Sequence, residues 1–291
     1  MISQTEQLRA FVGTRVADPW RASDDRVLVV AGARGGTGTS TVAAGIACTA
    51  AAEGRRTLLV DADEASGTHH HRFGVHAASG IGALKPGGGD AAGALVSLAP
   101  MLDLLPGGSG QAMDGTLGMS FAPSERRSVF RRLAPVYRGY DVVIIDAGSR
   151  LDAVLAAGLN GLRKCVVTSG AEPASVAAAY AMVKGIHLTW PGAPVELVLT
   201  RTSEERARDA FAEVQGAAGR FLGRTIGYGG LIPADDTLQA AIAAGTPFPA
   251  ASGGTQAALA LDALAGRLLA ELDRDARRSM APFRPTGRPA A

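Results

Sequence analysis

Along the chain, short apolar runs alternate with longer segments whose apolar positions recur at helical spacing. Val27–Ala31, Thr57–Val60, Leu102–Leu105, Val142–Ile145, Cys165–Thr168, Val195–Leu199 and Ile226–Leu231 have the length and apolar density of buried strands. Between them, Thr41–Ala52, Pro123–Tyr137, Ala153–Leu162, Ala174–His187 and Ser203–Gly216 carry helical patterns, followed by Gln239–Ala243 and Thr255–Leu272. In the last of these, Leu261, Leu264, Leu268 and Leu272 form one stripe. Strands that alternate with helices of this length imply an α/β fold, a mostly parallel, doubly wound sheet with helices on both faces. The Pro- and Gly-rich stretch Lys85 to Asp90 reads as a surface loop.

The two ends follow different patterns. Ser3-Gln4-Thr5-Glu6 fits a capping box, and Leu8, Phe11, Val12 and Val16 continue it as an apolar stripe. Asp18-Pro19-Trp20 breaks that helix. The expected organisation is an amphipathic helix over 1–20, a polar linker over 21–25, a main domain over 26–272 and a disordered tail over 273–291.

With 291 residues, 47% of them apolar, the chain can bury a large core as one domain. A net charge of +2 demands neither nucleic acid nor an anionic surface. Cys48 and Cys165 sit in apolar runs and read as buried free thiols. No run approaches the ~20 apolar residues of a membrane span. The polar start, Ser3 to Trp20, does not read as a secretory leader, so the expected location is cytoplasmic.

The chemistry is concentrated after the first apolar run. Ala31-Gly32-Ala33-Arg34-Gly35-Gly36-Thr37-Gly38-Thr39-Ser40-Thr41 joins a predicted strand to a small-residue helix. Strand, glycine turn and helix point backbone N–H groups and a helix N-terminus at an anion. The phosphate-loop pattern has a Lys between its last Gly and its hydroxyl residue, and Thr39 stands at that position. Acidic residues close two other strands: Asp61 and Asp63 after Val60, and Asp146 after Val143-Ile144-Ile145. In parallel sheets, ligands bind at those carboxyl ends. Asp146 with the Ser40 hydroxyl reads as a site for Mg²⁺, partly through water, and Asp61 and Asp63 as groups that polarise an attacking water.

The order of these motifs resembles the MinD/ParA group of P-loop ATPases. Within it, the chain is similar to the FlhG/FleN flagellar-number regulators. The likeness rests on Ser3-Gln4-Thr5-Glu6-Gln7-Leu8-Arg9, on the turn Leu104-Leu105-Pro106-Gly107-Gly108-Ser109-Gly110, and on Glu172-Pro173-Ala174-Ser175-Val176 with Ala179-Tyr180-Ala181-Met182-Val183-Lys184. Phe221-Leu222 with Gly229-Gly230-Leu231-Ile232-Pro233-Ala234-Asp235 completes it. The resemblance implies a P-loop NTPase fold, ATP with Mg²⁺ as ligands, and a homodimer in which Arg34 reaches the partner's phosphates. It implies nucleotide contacts from Gly35, Gly36, Thr37, Gly38, Thr39, Ser40, Thr41, Thr200, Arg201, Pro233 and Asp235. Asp61, Asp63 and Arg34 would be the catalytic residues, and Ser40 and Asp146 the metal residues. It also implies that the N-terminal helix, through Gln4, Leu8 and Arg9, contacts a signal-recognition-type flagellar GTPase of the FlhF kind.

Three departures from the family pattern bear on activity. Thr39 removes the ammonium that neutralises the β- and γ-phosphates. Charge-assisted bonds of this kind are worth roughly 1.5–3 kcal/mol each, so binding weakens about ten- to a hundredfold and hydrolysis more. Arg34 keeps a positive charge but not the shape of a lysine. Thr200 occupies the place of an Asn that would read the adenine edge, and a hydroxyl lacks the paired donor and acceptor of an amide. The expectation is therefore weak or absent ATP hydrolysis. The competing readings are a working ATPase switch in cell division, pilus or partition positioning, and a structural adaptor that binds no nucleotide.

The remaining charged groups read plainly. His69-His70-His71 and His76 follow Asp63 in a switch-like segment and are expected at the surface, at a dimer or partner face; adjacent histidines do not easily share one tetrahedral ion, so metal binding is not expected there. Arg126, Arg127, Arg131 and Arg132 read as a solvated helix face, and no specific nucleic acid is expected. Arg277, Arg278, Arg284 and Arg288 offer weak attraction to anionic lipid, the basis for an expected peripheral membrane association.

Overall fold

The structure is a computed structural model that describes residues 26–64, 67–85, 87–108, 121–243 and 254–279. The N-terminal helix with Gln4, Leu8 and Arg9, the linker 21–25, and the last residues of the basic tail lie outside the described residues.

Eight strands form one sheet: β1 (Val27–Gly32), β2 (Thr57–Asp61), β3 (Val96–Ala99), β4 (Leu102–Leu105), β5 (Val142–Asp146), β6 (Lys164–Ser169), β7 (Val195–Thr200) and β8 (Gly227–Ile232). Their spatial order is β3-β4-β2-β5-β1-β6-β7-β8. Every pairing is parallel except β3 with β4. The helices are α1 (Thr39–Ala52), α2 (His69–Arg72), α3 (Pro123–Tyr137), α4 (Leu151–Ala157), α5 (Pro173–Thr189), α6 (Glu204–Leu222), α7 (Asp236–Ala243) and α8 (Gln256–Ser279).

The central strands β1, β5 and β6 are buried at every position. Helices cover both faces, so these strands have no polar side to present. On one face, α1 and α8 pack Val42, Ile46, Leu261, Leu264 and Leu268 against Leu28, Val30 and Ile144. On the other, α3, α4, α5 and α6 supply Phe130, Val154, Val183 and Val214 over Val29, Ile145 and Val167. The alternation along each strand thus sends successive side chains into two separate cores.

Three features differ from the sequence expectations. The strand β3 is absent from the apolar-run pattern, because its four residues alternate between half-buried and exposed. The last helix continues through Asp273 to Ser279, past the expected boundary at Leu272. Arg55 holds that continuation by pairing with Asp273, with Nη1 at 2.7 Å. Arg126 is no part of a solvated face: it is buried, with its guanidinium between Glu64 and Asp152.

Candidate functional site

The carboxyl ends of β1, β2, β5, β6 and β7 bring the sequence-predicted groups together at one edge of the sheet. The loop after β1 turns on two glycines with left-handed backbone, Gly36 at φ 80° and Gly38 at φ 79°. A side chain is strained at both positions, which is why the glycines sit where they do. Gly38 is also the N-cap of α1 and supplies no side-chain cap. The first-turn N–H groups of α1 are therefore left for an anion, which is the phosphate-loop arrangement.

Side chains brace this loop from below and from the side. Gly32 N donates to Gly148 O at 2.7 Å, and Ala33 N to Thr168 O at 2.8 Å. Thr39 is buried, and its Oγ1 lies 3.0 Å from Thr168 Oγ1 and 3.4 Å from Thr37 Oγ1. Thr37 closes the triangle, 3.1 Å from Thr168 Oγ1. Thr39 is thus an internal strut of the loop. Thr168, which sequence reasoning passed over, is the centre of this cluster; a polar residue near the end of an apolar strand was the available signal.

Thr200, the last residue of β7, and Arg201 just after it clamp the same loop. Thr200 Oγ1 donates to Thr37 O at 3.0 Å, so its hydroxyl is committed to the loop backbone. Arg201 has φ 53°, a left-handed conformation uncommon outside glycine. Its guanidinium reaches back to the carbonyl of Gly36. Asp235 accepts from Leu238 N at 2.9 Å and Ala257 N at 3.3 Å, which makes it a cap joining α7 to the start of α8. Pro233 lies by a surface groove with Tyr228, Gln256 and Leu259. Arg34, Gly35 and Gly36 are exposed at the crest of the loop.

The acidic corner is built differently. Asp61 and Asp146 are register partners on β2 and β5, and both are buried. Asp61 Oδ1 accepts from Asp63 N at 3.2 Å and Oδ2 from His69 N at 3.1 Å. His69 then turns its ring to Asp146, with Nε2 donating to Oδ2 at 2.9 Å. Gly148 N occupies the other oxygen at 3.0 Å, and the Ser40 hydroxyl bonds to the same carboxylate. Burial pushes the Asp61 carboxyl up to about 6, with the charge of Asp146 adding to the rise and His69 opposing it. Burial acts on Asp146 the same way, but the bonds from His69, Ser40 and Gly148 win and hold it below the usual carboxylate range.

His69 and His70 are therefore buried, contrary to the surface expectation, while His71 and His76 are exposed. One turn on from His69, Arg72 places Nη1 3.4 Å from Thr41 Oγ1, beside the first turn of α1. Behind the corner, Glu64 accepts from Phe121 N at 2.9 Å and pairs with the buried Arg126. Asp63 O accepts from Gly108 N at 2.9 Å, so the segment after β2 is fastened on both sides.

Magnesium, which the resemblance implies at Ser40 and Asp146, does not fit this arrangement. The ion binds through one or two carboxylates and keeps several waters, and so needs open space at the carboxylate. Both oxygens of Asp146 already take protein donors, and an imidazole stands against Oδ2. Among the described residues, no group of three or more His, Cys, Asp or Glu is arranged to hold a metal.

Comparison with known proteins gives the frame for this geometry. The profile of the family described as cellulose biosynthesis protein BcsQ matches residues 26–177. The antiactivator FleN of Pseudomonas aeruginosa is 24% identical over 221 residues, covering 75% of this chain and 76% of FleN. Among solved structures, the septum site-determining protein MinD of Pyrococcus horikoshii, complexed with Mg-ADP, superposes with a TM-score of 0.66 at 20% identity, over 84% of this chain and 95% of that one. A ParA family ATPase of Chlorobium tepidum gives 0.65 at 21% identity, over 82% and 97%. Both superpositions show that this chain shares their fold. The profile match spans just over half of the 291 residues, and with it the chain belongs to the BcsQ family, on the MinD/ParA-type P-loop ATPase fold and with FleN among its relatives.

Proposed function

We propose that this protein is a nucleotide-responsive regulator of flagellar number or placement, with ATP binding retained in weakened form and hydrolysis impaired. The observation that carries this reading is the loop from Gly32 to Thr41. Its main chain keeps a phosphate cradle, while Thr39 faces inward to Thr168 and supplies no charge. A transition state that spreads negative charge over the transferred phosphoryl group needs that charge most, so turnover suffers more than binding. The protein acts as a homodimer, with the exposed Arg34 available to a facing subunit. Its N-terminal segment, residues 1–20, engages a flagellar GTPase of the FlhF kind.

Calorimetric titration with ATP tests retention, and a phosphate-release assay with and without the GTPase tests turnover. ATP hydrolysis at rates ordinary for MinD/ParA proteins would overturn the impaired-site reading. Deleting residues 1–20 should abolish stimulation of the GTPase while leaving ATP binding intact. A second reading follows from the match over 26–177 to the cellulose biosynthesis family: the same switch would position a cellulose-producing complex. Deletion strains separate the two, since the first predicts altered flagellar number and the second a loss of cellulose output with flagella unchanged.

A further inference from the structure

We propose that the site takes a nucleoside triphosphate without a divalent metal ion, His69 and Arg72 standing where the ion and its water shell would sit. The inference rests on the nucleotide-binding reading above and deepens it.

In a P-loop site the divalent ion bridges phosphate oxygens to the loop hydroxyl and, through water, to the acidic residue at the neighbouring strand end. Here that acidic residue is Asp146, and its Oδ2 receives His69 Nε2 at 2.9 Å. The contact is wholly interior: the His69 side chain has 0% exposure and that of Asp146 4%. His69 is further locked by its own backbone N–H on Asp61 Oδ2 at 3.1 Å. One residue thus bonds to both carboxylates, which belong to register partners on β2 and β5. Its Nδ1 is buried without a hydrogen-bond partner. An orphaned polar atom at that depth is costly and calls for a hydrogen-bond partner to complete the site.

Arg72 supplies the charge. His69 and Arg72 are three residues apart on α2 and so project on one side of its turn. Arg72 Nη1 reaches Thr41 Oγ1 at 3.4 Å, which puts a permanent cation at the N-terminal turn of α1, where phosphate oxygens would lie. Its buried Nε also lacks a partner. Across the loop, Arg201 holds the Gly36 carbonyl from the opposite side, with Arg34 exposed above. A triphosphate in the cradle would therefore meet arginines on both flanks and an imidazole on the acidic residue. The charge that an ion ordinarily contributes is provided by the chain itself.

The test uses the full-length protein and the fluorescent analogue mant-ATP, titrated in excess Mg²⁺ and again in EDTA. The expected result is that affinity changes by less than about threefold between the two conditions. In the His69→Ala variant, which opens Asp146, affinity should become metal-dependent by about tenfold or more. His69→Gln keeps an N–H donor and should stay metal-independent, with thermal melting used to confirm that both variants are folded. Loss of wild-type affinity by more than about tenfold in EDTA overturns the inference and leaves nucleotide binding standing. Absence of binding in both conditions overturns the nucleotide reading as well, so the two failures are distinct.

Discussion

The phosphate loop and the acidic corner occupy neighbouring strand ends, β1 and β5, yet they are determined in different ways. The loop is a main-chain object. Two left-handed glycines set its path, and Gly32, Ala33, Thr37 and Gly36 are fastened by backbone groups or by side chains from β6 and β7. The corner is centred on a side chain, the Asp146 carboxylate, on which His69, Ser40 and the Gly148 backbone amide converge. The shape that receives an anion can persist while the groups that carry charge change. Within the loop itself, Thr39 sits at the turn with its hydroxyl 3.0 Å from that of Thr168. Fold similarity to nucleotide-bound relatives therefore speaks to the cradle, and the chemistry must be read from the side chains.

The comparison can be broken from either side. The largest effect is expected behind the corner. Arg126→Met removes the buried ion-pair partner of Glu64, leaving it Phe121 N at 2.9 Å and the more exposed Arg150 at 3.4 Å, and should cost about 3 kcal/mol in urea unfolding. Because the loop has its own braces, nucleotide affinity of the folded fraction should stay within about threefold. Next comes the cradle. Gly38→Val forces a branched side chain into a left-handed conformation and toward Thr200 Cγ2, which lies 3.7 Å from an added Cβ. Calorimetry should show nucleotide binding weakened by about a hundredfold or more, with folding largely retained.

Restoring charge should act in the opposite direction. Thr39→Lys frees the strut and returns an ammonium to the loop, so affinity for ATP should rise about tenfold to a hundredfold in the same titration. The smallest change is Thr200→Val, which removes the hydroxyl that bonds Thr37 O at 3.0 Å and lies 3.4 Å from Ser169 O. Thermal melting should show a loss of about 1 kcal/mol, and affinity should fall a few-fold as the loop loosens. If Thr200→Val proved as damaging as Gly38→Val, the loop would depend on side chains as much as the corner does, and the contrast would fail.

The sequence made the sheet and the loop legible because both follow local rules. Apolar runs of strand length mark β1, β5 and β6, and the glycine spacing marks the turn before α1. Asp61 and Asp146 were found because each ends such a run. His69 was missed because its contact joins residues 69 and 146, and that proximity arises only from the β2–β5 register and the return of α2. The inward turn of Thr39 likewise depends on Thr168, far along the chain. Arg126 was misread although a signal existed. Positions 126, 129, 130 and 133 share one helical stripe, and Val129, Phe130 and Leu133 place that stripe in the core. A charged residue on an apolar stripe points to a buried partner, here Glu64.

The most direct measurement of the central claim is a crystal structure with ATP in the presence of Mn²⁺, read by anomalous scattering. The account predicts a triphosphate on the amides at the start of α1, His69 still bonded to Asp146, and no anomalous peak between Ser40 and Asp146. A manganese peak at that point, with His69 swung away from the carboxylate, would contradict it.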